Sequence, residues 1–331
     1  MLKTNELYTL LNYIDKGVVA PTITTMRDFA KIREFYVRSD GKVPESASLL
    51  TSVEKIEFGM KYRGDFSCLS MFPKTKIVKC NCGAAADYIR CGRHKKLFGA
   101  LKSLPLIEEI DLSYNQCFYS LDGFPRLPSL KRLDINGNIL SDMSPLSGLE
   151  LQELNISRCL FSDLAFDGSE RTIKKLSASN CPMEGTERTY RTLLMSENME
   201  ELDLTGTYIE NFDFVQKMPK LRKLSVGYDV VSLYPLHHLR KLRDLVVCSK
   251  YPFLLEVGAL KNLPDLQSVT INLPHNKRLK VPLNDLRDTN VEELTLNGLF
   301  TRNDLLFVYD MPNLKRLSVN GMTVVIMNRM A

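Results

Sequence analysis

The chain has 331 residues, 44% hydrophobic and 25% charged, with a formal net charge of +5; the composition is ordinary for a soluble protein, and the charge falls well short of the concentrated basic stripe of a nucleic-acid binder. Eight cysteines spread over this length exclude the dense disulfide framework of a small secreted domain. No apolar run approaches the ~18 residues that span a bilayer.

The N-terminal MLKTNELYTLLNYIDKG carries Glu6 and lacks an apolar run ending in a small-residue cleavage site. The expected location is therefore intracellular, cytoplasmic or nuclear. Residues 1–52, with helix-like LYTLLNYID and TTMRDFAKIREFYV, are expected to form an N-terminal helical cap over the first exposed repeat. Residues 53–331 then form one repeat domain. It begins with weak repeats over 53–83, VEKIEFGMK (53–61) and TKIVKCNCG (75–83), followed by an insertion over 84–100.

Regular repeats occupy 101–322. The pattern L-x-x-L-x-L-x-x-N recurs as IEEIDLSYN (107–115), LKRLDINGN (130–138), LQELNISRC (151–159), IKKLSASNC (173–181) and MEELDLTGT (199–207). It continues as LRKLSVGYD, LRDLVVCSK, LQSVTINLP, VEELTLNGL and LKRLSVNGM, from 221 to 322, with starts 21–26 residues apart. The fourth and sixth residues alternate with polar ones on a short strand, so both point inward. Leu154 with Ile156 and Leu202 with Leu204 are such pairs. The ninth position holds Asn115, Asn138, Cys159, Cys181 and Thr207 in turn, a ladder of small polar side chains suited to the backbone groups of the following turn. The end, TVVIMNRMA (323–331), reads as a final irregular strand, the alternative being an open end covered by a partner.

These units resemble the SDS22-like class of leucine-rich repeats, shared by phosphatase regulators, bacterial internalins and many protist proteins. The resemblance covers about residues 100–322. It implies an α/β leucine-rich-repeat solenoid: a curved parallel β-sheet with short helical, 3-10 or extended return segments.

In that fold the third, fifth, seventh and eighth residues of each repeat line the concave sheet. The third-position lane, from Glu109 and Arg132 through Glu153, Lys175, Glu201 and Lys223, alternates in sign, so its charges are expected to satisfy one another across strands. The remaining lanes are mostly small and polar. Candidate partner-binding residues are the eighth-position anchors Tyr114, Arg158 and Tyr228 and the fifth-position acids Asp111, Asp134 and Asp203.

KCNCGAAADYIRCGRHKK (79–96) holds Cys80, Cys82, Cys91 and His94, four ligands that could close a tetrahedral zinc site. The spacing is not a standard zinc-finger pattern, and the repeat register makes Cys80 a small core hydrophobe. The same stretch clusters Arg90, Arg93, Lys95 and Lys96, which would meet an acidic protein or RNA, or simply form a solvated loop. There is no nucleophile elbow, phosphate loop, dinucleotide fingerprint or H-E-x-x-H. The expected function is a non-enzymatic protein-binding scaffold or adaptor, without a cofactor unless zinc binds. Alternatives are a structural subunit of a larger assembly, including a ribonucleoprotein, and a phosphatase-regulator-like role by analogy.

Overall fold

A computed structural model describes residues 4–326, apart from 61, 63, 65, 82–92, 116–117, 166, 229, 231, 255 and 281 and the side chains of Arg93 and Tyr228. The chain divides into two compact units, Met1–Asn155 and Ile156–Ala331.

The first unit opens with α1 (Thr4–Asp15) and α2 (Ile23–Phe29), the latter started by Thr22, whose hydroxyl accepts from the Thr25 N–H. Leu7, Tyr8 and Leu11 form one turn-spaced face of α1 and are buried. Six parallel strands follow in chain order: β1 (Glu34–Val37), β2 (Lys55–Phe58), β3 (Ile77–Cys80), β4 (Glu109–Asp111), β5 (Arg132–Asp134) and β6 (Glu153–Asn155). Glu34–Val37 thus corrects the reading of 24–37 as helical. Its EFYV alternation buries Phe35 and Val37 and exposes the other two, and β-branched and aromatic residues favour the pleated surface.

Between β3 and β4 lies α3 (Arg93–Leu101), seated in the stretch expected to be an insertion. His94, Leu97, Phe98 and Leu101 recur at i, i+3, i+4 and i+7 and are all buried, the spacing of one helical face. The first unit's core is rich in rings. Phe35 stacks on Tyr8 at 5.5 Å and meets Phe72 at 5.1 Å, while Phe98 meets Phe124 edge-on at 5.1 Å.

The second unit carries β7 (Lys175–Ser177), β8 (Glu201–Asp203), β9 (Lys223–Tyr228), β10 (Asp244–Ser249), β11 (Ser268–Asn272), β12 (Glu293–Asn297), β13 (Arg316–Val319) and β14 (Met322–Val325). All pair in parallel except β14, which turns back antiparallel on β13. Asn320 (φ 48°) and Gly321 (φ 81°) make that turn, the left-handed pair a two-residue hairpin requires. Of the expected final strand, Met322–Val325 is a strand with all four residues exposed, and 327–331 lie outside the described residues. From β8 onward the returns carry 3-10 turns, and the return between β7 and β8 carries α4 (Glu187–Leu194), capped by Thr186.

Inward residues at the fourth and sixth positions are buried from β4 to β12, Leu154 and Leu202 at 2% exposure each, whereas Leu317 and Val319 of β13 are only half-buried. The ladder side chains are buried too. Asn138 Nδ2 donates to the Ile135 carbonyl of its own repeat (2.7 Å) and to Leu112 of the preceding one (2.9 Å). Asn115 likewise donates to Leu112 and Cys80, Cys181 Sγ donates to Ile156 (3.1 Å) and Thr207 Oγ1 to Leu204 (2.8 Å). Strands that lead into this ladder are short, three residues each from β4 to β8, whereas β9 and β10 have six and β11 and β12 five. Where the ninth position is Lys250, Pro274 or Leu299, no such side chain closes the turn, and backbone pairing runs on instead.

Candidate functional site

The solvent face of the first unit's sheet is one strand wider than the motif count suggests, because β1 precedes the weak repeats that hold β2 and β3. Its fifth-position lane runs Tyr36, Glu57, Lys79, Asp111, Asp134, Asn155 in register. Tyr36, exposed beside Arg38, was missed by motif counting; the alternation in EFYV was the available signal.

Charges on this face are largely matched across strands. Arg132 grips Glu109 through Nε (3.0 Å) and Nη2 (2.9 Å), and Lys79 lies 3.9 Å from both Glu109 and Asp111. Lys55 reaches Glu34 at 3.0 Å. The second unit repeats the device, with Lys175 and Lys223 on either side of Glu201 (3.2 and 3.9 Å) and Arg316 on Glu293 (3.0 Å). Exposed pairs of this kind contribute well under ~1 kcal/mol each, so they set register more than stability.

The three candidate aspartates have internal work. Asp111 Oδ1 accepts from the Ser113 N–H (3.0 Å) and hydroxyl (2.7 Å). Asp134 accepts from the Asn136 N–H (3.0 Å) and from Asn155 Nδ2 (3.0 Å), and Asp203 from the Thr205 N–H (2.9 Å). Each closes an Asx-type turn at the strand end.

The eighth position is different. Its backbone is left-handed in five consecutive repeats: Tyr114 (φ 55°), Gly137 (67°), Arg158 (57°), Asn180 (55°) and Gly206 (74°). Glycine adopts this conformation freely, whereas a bulky residue there costs about 1 kcal/mol or more. Tyr114 and Arg158 nonetheless occupy it, and both side chains are exposed. The Tyr114 ring lies against the neighbouring turn, where a Cβ on Gly137 would fall 2.7 Å from Cδ1. Tyr228 shares the register position, but its side chain lies outside the described residues.

In the second unit a further ladder runs along the seventh position. Asn297 Nδ2 donates to Asn272 Oδ1 (2.8 Å), and Asn272 Nδ2 to Cys248 Sγ (3.2 Å). Burial pushes the Cys248 thiol above its ordinary pKa, against the opposing pull of the Asn272 hydrogen bond.

Of the four proposed zinc ligands, Cys82 and Cys91 lie outside the described residues. Cys80 points inward from β3, and His94 faces the core between Phe98 and Tyr119, at ring distances of 5.9 and 5.2 Å. Burial, reinforced by Lys95, holds the imidazole below its usual pKa, and among the described residues its Nδ1 finds no hydrogen-bond partner. Among the described residues no three of His, Cys, Asp and Glu gather as a metal site. In the basic cluster, Lys95 and Lys96 occupy the exposed side of α3, while Arg90 and the Arg93 side chain are outside the described residues. Among the described residues no helix is long and apolar enough to cross a membrane.

No family model matches the chain. Disease resistance protein RPS4B of Arabidopsis thaliana is 29% identical over 184 residues, 49% of this chain. Toll-like receptor 3 of Boselaphus tragocamelus is 27% identical over 154 residues, 42% of this chain. The matches span only 15% and 16% of those relatives' own length. A leucine-rich-repeat protein of Leptospira interrogans superposes with a TM-score of 0.60, at 14% identity, covering 91% of this chain and 81% of its own. An internalin (inlF) of Listeria monocytogenes gives 0.51, also at 14% identity, over 95% and 89%. At such identity the likeness is one of fold.

Proposed function

We propose, from the premise that the chain is a leucine-rich-repeat protein, that it is a non-enzymatic scaffold or adaptor and that the solvent face of the first unit's sheet receives a protein partner. The observation that carries this reading is Tyr114: an exposed aromatic side chain kept at a left-handed position where glycine serves the neighbouring repeat. Retaining strain for an outward side chain is a mark of function rather than of folding. Aromatic rings are the usual anchors of protein interfaces. Tyr36 supplies a second exposed ring on the same face, and Lys79 with its two carboxylates provides a polar surround.

Within the fold we place the repeats in the SDS22-like class on their period and return segments; the phosphatase-regulator role attached to that class remains an analogy. Tyr114→Gly separates folding from binding. The variant should match the wild type in urea unfolding to within about 1 kcal/mol, because relief of strain offsets the lost ring contact. In quantitative affinity capture from the native cell, a specific protein held by the wild type should be lost. Equal recovery by both forms would refute the assignment of this face.

A further inference from the structure

The return side of the second unit carries a groove that the sheet face does not explain. Two adjacent cavities, of about 360 and 330 Å³, share Tyr234 and Glu256 as common lining, volumes within the range of ligand-binding clefts. The first continues to Glu210, Phe212 and Asp213, the second to His237, Gly258, Lys261 and Asp285. The groove thus crosses four successive return segments, whose 3-10 turns include Asp213–Lys217, Tyr234–His238, Val257–Asn262 and Asn284–Asp288.

Three features specify the occupant. Tyr234 is 57% exposed at the junction of the two cavities; its carbonyl meets His237 Nδ1 at 2.6 Å, and the His237 ring packs against its own at 4.6 Å. The backbone is therefore fixed while the ring stays accessible. Secondly, Glu210, Asp213, Glu256 and Asp285 are exposed, and among the described residues none forms an ion pair. Acids on the two sheet faces, by contrast, are mostly matched by a cation on the adjacent strand. Lys261 is the one lysine or arginine among the described lining residues. Thirdly, Gly258 keeps the second cavity open: a Cβ there would fall 3.2 Å from Asp285 Oδ2. The groove is therefore aromatic at its centre and anionic on both sides, within a protein of net charge +5. An aromatic face beside carboxylates holds a guanidinium or ammonium group by cation–π attraction and charge together.

We propose that this groove binds an extended basic peptide segment of a partner protein. One Arg or Lys side chain sits over Tyr234 between Glu210 and Glu256, and a second lies between Glu256 and Asp285. Alternate residues of an extended chain point the same way, so a basic residue at every second position matches the groove. This surface is separate from the sheet face proposed above and does not depend on it.

The test is fluorescence anisotropy of the full chain with a fluorescein-labelled peptide alternating Arg and Ser over eight residues, and its Glu–Ser counterpart as control. The expected result is saturable binding of the Arg–Ser peptide only. Tyr234→Ala and Glu256→Gln should each weaken it about tenfold with unchanged thermal unfolding; Gln keeps an acceptor for the Ser232 hydroxyl that Glu256 now receives. Tyr114→Gly and the sheet-face variant Glu201→Gln should leave the affinity unaltered. No saturable binding by the wild type, or equal affinity in the groove variants, overturns the proposal. A loss of affinity in Glu201→Gln comparable to that in Glu256→Gln overturns it as well, since binding would then follow bulk charge.

Discussion

Asn138 shows how much of this fold rests on single side chains that face inward while remaining polar. Its amide joins two repeats by donating to carbonyls of both, at 2% exposure. A buried carbonyl left without a donor costs about 1–3 kcal/mol, so Asn138→Ala should destabilise the first unit by roughly that amount in urea unfolding. Asn138→Asp should be worse, because it sets a carboxylate against two carbonyls; equal stability of Asp and wild type would mean that the amide does not bridge the repeats. The fifth-position aspartates make the complementary point. Their sequence lane suggests a binding surface, but Asp111, Asp134 and Asp203 each accept a backbone N–H two residues on. Sequence periodicity identifies which side chains leave the core. It does not say whether an outward carboxylate is engaged by its own turn.

At the scale of elements, every repeat strand from β4 to β13 is legible in the sequence, because inward apolar residues at the fourth and sixth positions leave a strong alternating signal. That signal is absent at β1, where EFYV follows a helical stretch without the flanking leucine pattern, and at α3, where His94 and two lysines disguise a buried face formed with Leu97, Phe98 and Leu101. The N-terminal helix was legible from its apolar spacing, and its attachment is chemically specific. The Tyr8 hydroxyl donates to the Tyr36 carbonyl at 3.2 Å, and burial pushes its pKa from 10.0 to about 12, partly countered by the hydrogen bond from the Arg38 N–H. The fold favours the neutral phenol, so this contribution is fully present below pH 10 and is lost as pH rises through about 12. Alkaline titration followed at 295 nm, wild type minus Tyr8→Phe, should give a midpoint near 12, and the first helix should lose hydrogen-exchange protection over the same window. A difference midpoint at 10 would show that α1 does not bury this group.

Across the molecule, stability is distributed among repeats that bury little alone and much against neighbours. Leu154→Asp in the first unit and Leu202→Asp in the second, both at 2% exposure, place a carboxylate among packed strands and should each cost several kcal/mol, of order 3–5, in thermal or urea unfolding. Unchanged stability in either would mean that its register is misassigned. The repeat fold was readable because it is written many times over. The candidate face was only partly so: the left-handed backbone under Tyr114 and Arg158 leaves no mark in one-dimensional spacing, and the return-side groove gathers residues from four separate segments.

The change in strand length after Thr207 bears on how such a chain can be rebuilt. From Asn115 to Asn138, each ladder amide needs a carbonyl from the repeat before it, while the five- and six-residue strands from β9 to β12 include neighbours joined at the seventh position by Asn272 and Asn297. A repeat moved from one stretch into the other would carry a donor with no acceptor, or the reverse. The repeats look like copies, but they are not interchangeable modules. Grafts or deletions should respect two dialects of the same motif, and the natural place to cut lies where one gives way to the other.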